Sequence, residues 1–114
     1  MHEVSLARDL LAAIERKLDR NDARVVRVNL SIGSAAGIVP ESLSFAFRVL
    51  AEGTRADGAE LAIATVSARS RCTACGTVFA FDGMIGRCPA CGQLGGELLS
   101  GDEMLLRAIE VTDV

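Results

Sequence analysis

Residues 69–96 read RSRCTACGTVFAFDGMIGRCPACGQLGG, and they break the pattern of everything on either side. All four cysteines of the 114-residue chain lie here, as Cys72-x2-Cys75-x12-Cys88-x2-Cys91. Glycine follows each pair (Gly76 and Gly92), and Pro89 stiffens the second. Two tight turns of this kind aim four sulfurs at one tetrahedral ion, with Zn–S distances of about 2.3 Å. A redox CxxC of the thioredoxin kind needs one motif on a βαβ unit, not two facing knuckles. Disulfides are disfavoured if the chain stays inside the cell, where thiols remain reduced. Iron in the same four-thiolate cage stays chemically open. A closed four-cysteine site offers water and substrate no coordination position, so the expected role is structural. Zinc on four thiolates would take the formal charge from −3 to −5. Arg69, Arg71 and Arg87 flank the cage and offset part of that charge.

Working outward, VSLARDLLAAIERKLDR (4–20) repeats Leu6, Leu10, Ile14 and Leu18 at a spacing of four, the stripe of an amphipathic helix. Glu3 suits its positive end, and Arg16, Lys17 and Arg20 its negative end. RVVRVNLSIG (24–33) predicts a strand with Val26, Val28, Leu30 and Ile32 on the buried face. PESLSFAFRVLAEG (40–53) predicts a second helix with Pro40 at its first position and Leu43, Phe47 and Leu50 inward. AELAIATVSAR (59–69) predicts one long strand. EMLLRAIEV (103–111) predicts another, with Leu105, Ile109 and Val111 sharing a face. The fold class expected is therefore α+β: a three-stranded sheet covered by two helices, carrying an inserted four-cysteine zinc-ribbon-like module. Residues 1–68 with 97–114 would form the helix–sheet domain and 69–96 the metal module.

Composition narrows the function. Half the residues are apolar, enough for a core, yet no apolar run approaches the ~20 residues that span a bilayer. The first residues carry Glu3 and Asp9 and do not read as a secretory signal. A cytoplasmic chain without a membrane anchor is the expectation. A net charge of −3, no Trp or Tyr and only four Phe suit nucleic acid poorly, since phosphate needs clustered Lys and Arg and bases need stacking surfaces.

His2 is the only histidine in the chain. Taken alone, it reads as a solvated residue near a terminus. Its position beside the Met1 amine offers more. A metal held by that amine and the His2 backbone nitrogen closes a five-membered ring, and the nearer imidazole nitrogen closes a six-membered one. Deprotonated amide nitrogen suits ions favouring square-planar nitrogen sites, Ni(II) or Cu(II). Met1 is expected to be retained, because histidine is a large second residue. One corner of the square stays open to the Glu3 backbone nitrogen, the Glu3 carboxylate or a partner protein. An incomplete site suits handing a metal on.

Four stretches in order resemble the HypA (HybF) family of hydrogenase nickel incorporation proteins: MHEVSLA, IGSAAGIVPESLSFAFRVLAEGT, CTAC…CPAC and GDEMLLRAIEV. The resemblance implies a nickel metallochaperone for [NiFe]-hydrogenase maturation. Its implied partners are a HypB-type GTPase and the hydrogenase large subunit. It implies Ni2+ as transferred cargo held through His2 and the Met1 amine with Glu3 assisting, and Zn2+ at Cys72, Cys75, Cys88 and Cys91. Val4 stands where the family commonly has methionine. Gly76 and Gly92 stand where some relatives carry histidine, so no role of such histidines transfers. The chain has no GxxxxGK[ST] phosphate loop, which assigns any GTP chemistry to the partner.

Two other classes compete with this reading. A zinc-ribbon interaction adaptor without a nickel role would need the knuckles and be indifferent to His2. An enzyme would draw on Glu41, Glu52, Glu60, Glu97, Asp102 and Glu103, but scattered acids usually form a solvated face. No nucleophile–base pair with histidine exists away from the terminus. The open edges of a three-stranded sheet leave room for a homodimer.

Overall fold

The computed structural model describes residues 2–113, so Met1 and Val114 lie outside it. Helix α1 spans His2–Lys17, β1 Asp22–Gly33, a short 3-10 turn Ser34–Ala36, α2 Pro40–Leu50 and β2 Glu60–Val66. Strands β3 (Ala68–Arg71), β4 (Val78–Phe81), β5 (Glu97–Ser100) and β6 (Met104–Asp113) complete the chain. Two three-stranded sheets result, in the orders β2-β1-β6 and β4-β3-β5. The chain divides into two compact units, Met1–Leu30 with Ile38–Ile63 and Leu106–Val114, and Ser31–Gly37 with Ala64–Leu105.

The first unit is built on aliphatic packing. Ala7, Leu10 and Ile14 of α1 are buried, as are Leu43, Ala46 and Phe47 of α2 and Val25, Val28 and Leu30 of β1. These positions repeat at the helical and strand periods, so burying them removes one continuous apolar surface from water. Helix α1 stops at Lys17, three residues short of the expected Arg20. The Asp19 carboxylate accepts the Asn21 amide (3.2 Å) and the Asp22 carboxylate accepts the Asp19 amide (2.9 Å), an acidic turn that competes with the helix. Arg55 fastens this turn, donating to the Asp19 and Asp22 carbonyls (3.1 and 3.0 Å) and to the Glu15 carboxylate (2.6 Å).

Two strand phases differ from expectation. In β1, Val25 is buried and Val26 is 45 % exposed. The Val25 amide donates to the Arg55 carbonyl at 2.9 Å, and the next two residues both face out before Val28 turns in. In β6, Leu105 is exposed while Met104, Leu106, Ile109 and Val111 are half-buried, so the alternation changes phase between Leu106 and Ile109.

The expected strand over 59–69 is two strands in two sheets. β2 ends at Val66, and β3 pairs antiparallel with β4 (Ser70 opposite Phe79) and with β5 (Ser70 opposite Leu98). The break is held within the second unit by a close backbone approach. A Cβ on Gly101 would lie 2.4 Å from the Ala68 Cα, and one on Gly33 would lie 2.0 Å from the Gly101 carbonyl oxygen. Only glycine permits both contacts. Ser34 adds a clamp: its hydroxyl donates to the Phe81 carbonyl and accepts the Ala68 amide, each at 3.1 Å.

Candidate metal centre

The two cysteine pairs adopt the same local structure. In the first, the Cys72 amide donates to the Thr77 carbonyl (2.8 Å) and the Gly76 amide to the Cys72 carbonyl (2.9 Å). In the second, Cys88 donates to Gln93 (2.8 Å) and Gly92 to Cys88 (2.9 Å). Each turn needs a residue at positive φ, and Gly76 (78°) and Gly92 (80°) supply it without the cost a side chain would bring. Arg87 steadies the second turn by donating to the Gly92 carbonyl at 2.8 Å. Arg71 pairs with Glu97 at 3.5 Å.

These turns bring all four sulfurs within 4.8 Å of one another. Cys72 Sγ and Cys91 Sγ are 3.5 Å apart, and Cys75 Sγ and Cys88 Sγ 3.6 Å. A disulfide needs about 2.05 Å; a tetrahedron of sulfurs at ~2.3 Å from a central ion needs edges of about 3.8 Å. The donor set therefore fits a tetrahedral thiophilic ion. Cys72 and Cys88 are buried against Phe79, while Cys75 and Cys91 face outward.

The thiols are not equivalent. The Thr77 side chain, then the Thr77 amide, brings Cys75 down to about 6. At Cys91 the Gln93 amide favours the thiolate, but the sulfurs of Cys72, Cys75 and Cys88 together with desolvation push it up to about 12. Close thiols resist shared ionisation. A dication among them removes that repulsion, which is why such a cluster is a metal site rather than four independent nucleophiles.

The amino-terminal residues are placed by α1. His2 is exposed at the first described position of the helix; the Met1 amine lies outside the described residues. Glu3 is half-buried, and its Oε2 accepts the Val39 amide at 3.3 Å. That contact holds the Glu3 carboxyl below the ordinary carboxylate range, with its own amide adding to the effect. Sequence reasoning missed the pairing because a backbone amide has no residue-type signature. It also missed an open cavity of about 520 Å³ in the first unit, floored by Val4, Phe45, Ala46, Val49 and Leu50. The acidic residues weighed for catalysis do not gather. Glu60 and Glu110 flank Arg27 (3.0 and 3.6 Å), Glu97 pairs with Arg71, and Glu103 accepts the Gly101 amide at 2.9 Å. Among the described residues, no helix is long and apolar enough to cross a membrane.

Comparison with known proteins is consistent across the whole chain. Residues 1–111 match the family model described as hydrogenase/urease nickel incorporation, metallochaperone, HypA. The hydrogenase maturation factor HypA of Chlorobium limicola is 40 % identical over 99 % of this chain and 98 % of its own length. That of Geobacter sulfurreducens is 37 % identical over 97 % and 99 %. A solution structure of a HypA protein aligns with TM-score 0.67 and 26 % identity, covering 98 % of this chain and 97 % of that one. The solution structure of the Ni metallochaperone HypA from Helicobacter pylori shares the fold at TM-score 0.66 and 23 % identity, covering 98 % of each chain. The chain belongs to the HypA family of hydrogenase/urease nickel incorporation proteins, which are metallochaperones and not enzymes.

Proposed function

We propose that this chain carries Ni(II) as cargo on its amino-terminal residues. With a HypB-type GTPase it would deliver the ion to the large subunit of a [NiFe]-hydrogenase in the cytoplasm. The donors are the Met1 amine, the His2 backbone nitrogen and the nearer His2 imidazole nitrogen, with Glu3 assisting. Cys72, Cys75, Cys88 and Cys91 hold a resident zinc. The first compact unit would carry the nickel, and the second, which contains all four cysteines, the zinc.

The observation that carries the reading is the position of His2 at the start of α1. The first four amides of a helix have no intrahelical acceptor. The His2 amide can therefore lose its proton to a metal without costing α1 a hydrogen bond. Four soft thiolates in a preformed tetrahedron suit zinc and leave no open position. Bound there, zinc supplies folding energy and no Lewis-acid chemistry. The two sites thus match two tasks, a closed cage for an ion that stays and an exposed grip for one that leaves.

The test is a nickel titration of zinc-loaded, tag-free protein beside His2→Ala and a variant with one added amino-terminal residue. Stoichiometric binding with a square-planar absorption band, lost in both variants, is expected. Little obscures that band, since the chain lacks Trp and Tyr. Unchanged binding in both variants would move the nickel site elsewhere. No binding in the unaltered protein would favour a zinc-ribbon adaptor.

A further inference from the structure

We propose that the four-cysteine cluster is a peroxide-responsive switch. Hydrogen peroxide converts it from a metal-held form to a disulfide-held form, with Cys72 bonded to Cys91 and Cys75 to Cys88. This rests on the zinc reading above, is independent of the nickel reading, and gives a chemistry to a cage described so far as structural.

Burial and spacing name the pairs. Cys72 and Cys88 are each 1 % exposed, whereas Cys75 and Cys91 face solvent. The approaches of 3.5 Å (Cys72 to Cys91) and 3.6 Å (Cys75 to Cys88) each join a buried sulfur of one knuckle to an exposed sulfur of the other. A disulfide of ~2.05 Å asks each pair to close by about 1.5 Å. The backbone bonds that shape the turns run within each knuckle, Cys72 to Thr77 and Gly76 to Cys72 in the first, Cys88 to Gln93 and Gly92 to Cys88 in the second. A link between the knuckles draws two formed turns together and leaves both sets of bonds in place.

Two displacements carry the oxidation, and atoms and electrons balance. The thiolate of an exposed cysteine, Cys75 or Cys91, attacks one oxygen of hydrogen peroxide. The S–O bond forms as the O–O bond breaks, giving a sulfenic acid and hydroxide. The oxygen is added from the solvent side, and the buried partner sulfur lies behind. Its thiolate then attacks the oxidised sulfur, forms the S–S bond and expels the second oxygen as hydroxide. Each pair gives two electrons to one peroxide, so four thiolates consume two peroxides and yield two disulfides. Only thiolate sulfur is a good metal ligand, so the cluster lets go of zinc as it oxidises. The same four positions still join the knuckles, now covalently. The second unit stays closed, and a thiol reductant returns it to the metal-binding state by exchange.

The experiment treats zinc-loaded protein with two equivalents of hydrogen peroxide and follows zinc release with a chromogenic chelator. The product is digested with trypsin in denaturant, with free thiols blocked and no reductant present. Trypsin cuts after Arg71, Arg87 and Arg107, which places the two cysteine pairs on separate peptides, 72–87 and 88–107. The expected result is about one zinc released per chain and the two peptides joined as one species, four hydrogens lighter than their sum. Fragmentation between Cys72 and Cys75 assigns the links as Cys72–Cys91 and Cys75–Cys88. Amides of residues 64–105 keep their dispersion in the oxidised protein, and dithiothreitol with zinc restores the starting spectrum. Peptides that separate, each carrying its own disulfide, overturn the proposal. So does zinc retained in full after peroxide, sulfinic or sulfonic acid in place of disulfide, or collapse of the amide dispersion. Failure of the zinc reading is recognised before any peroxide is added, by metal analysis of the reduced protein that finds no zinc, and it takes the release with it.

Discussion

The two units of this molecule are held by different physics. The first buries a surface of aliphatic side chains contributed by α1, α2 and β1. The second has as its buried cluster Cys72, Phe79 and Cys88, with Phe81 packed beside them. Two of those three belong to the four-cysteine cluster that could hold a metal ion. Its sheet strands β3, β4 and β5 are four residues each, short for independent stability. A metal held by the four cysteines would stand in the second unit where apolar side chains stand in the first.

The largest expected effect follows. Zinc in small finger peptides is worth roughly 10–16 kcal/mol apparent, against about 5–15 kcal/mol for the whole stability of an ordinary domain. Cys72→Ala or Cys88→Ala should abolish the ordered structure of residues 64–105, seen as collapse of their amide dispersion in a 1H–15N spectrum. Residues of α1 and α2 should keep their dispersion. Collapse of both units together would refute this division of labour.

The opposite substitution comes next. Phe47 is 1 % exposed at the centre of the aliphatic packing. Phe47→Ala should cost about 3–5 kcal/mol through lost burial and the cavity left behind. Urea unfolding followed through α1 and α2 amides measures the loss. The zinc content of the purified variant, read by metal analysis, should stay at one ion per chain.

How much of this was legible in the sequence depends on how local each feature is. The knuckles were readable from spacing alone, because a CxxC turn with a following glycine is built within five residues. The helices were readable from stripes such as Leu6, Leu10 and Ile14. The second sheet was not. β3 follows β2 after the single residue Ser67, with no Gly or Pro between them, and only Gly33, Gly101 and Ser34, distant in the chain, mark the break. The phase slip at Val25–Val26 was hidden in the same way, since its cause is a bond to the Arg55 carbonyl thirty residues on. At the amino terminus, residue types alone suggested possible donors, but the contact between the Glu3 carboxylate and the Val39 amide is set by the backbone. Long-range contacts to backbone atoms leave the sequence pattern unchanged.

Ser34 sharpens the comparison from inside the second unit, because its hydroxyl bonds two backbone groups of that unit and no cysteine. Its hydroxyl serves two backbone groups at once, the Phe81 carbonyl at the end of β4 and the Ala68 amide at the start of β3. Ser34→Ala leaves both without that partner in a part-buried setting, a loss of about 1–2 kcal/mol. In the zinc-loaded protein the sheet should stay formed. The change should appear locally, as Ala68 amide exchange accelerated by a factor of roughly 5–30, while amides in the two knuckles keep their protection. If knuckle amides lost protection to the same degree, the clamp and the cage would be one cooperative element. The metal would then be holding the strand break as well as the four sulfurs. If Ala68 alone responds, the second unit has two independent fastenings, one from thiolates and one from a single hydroxyl.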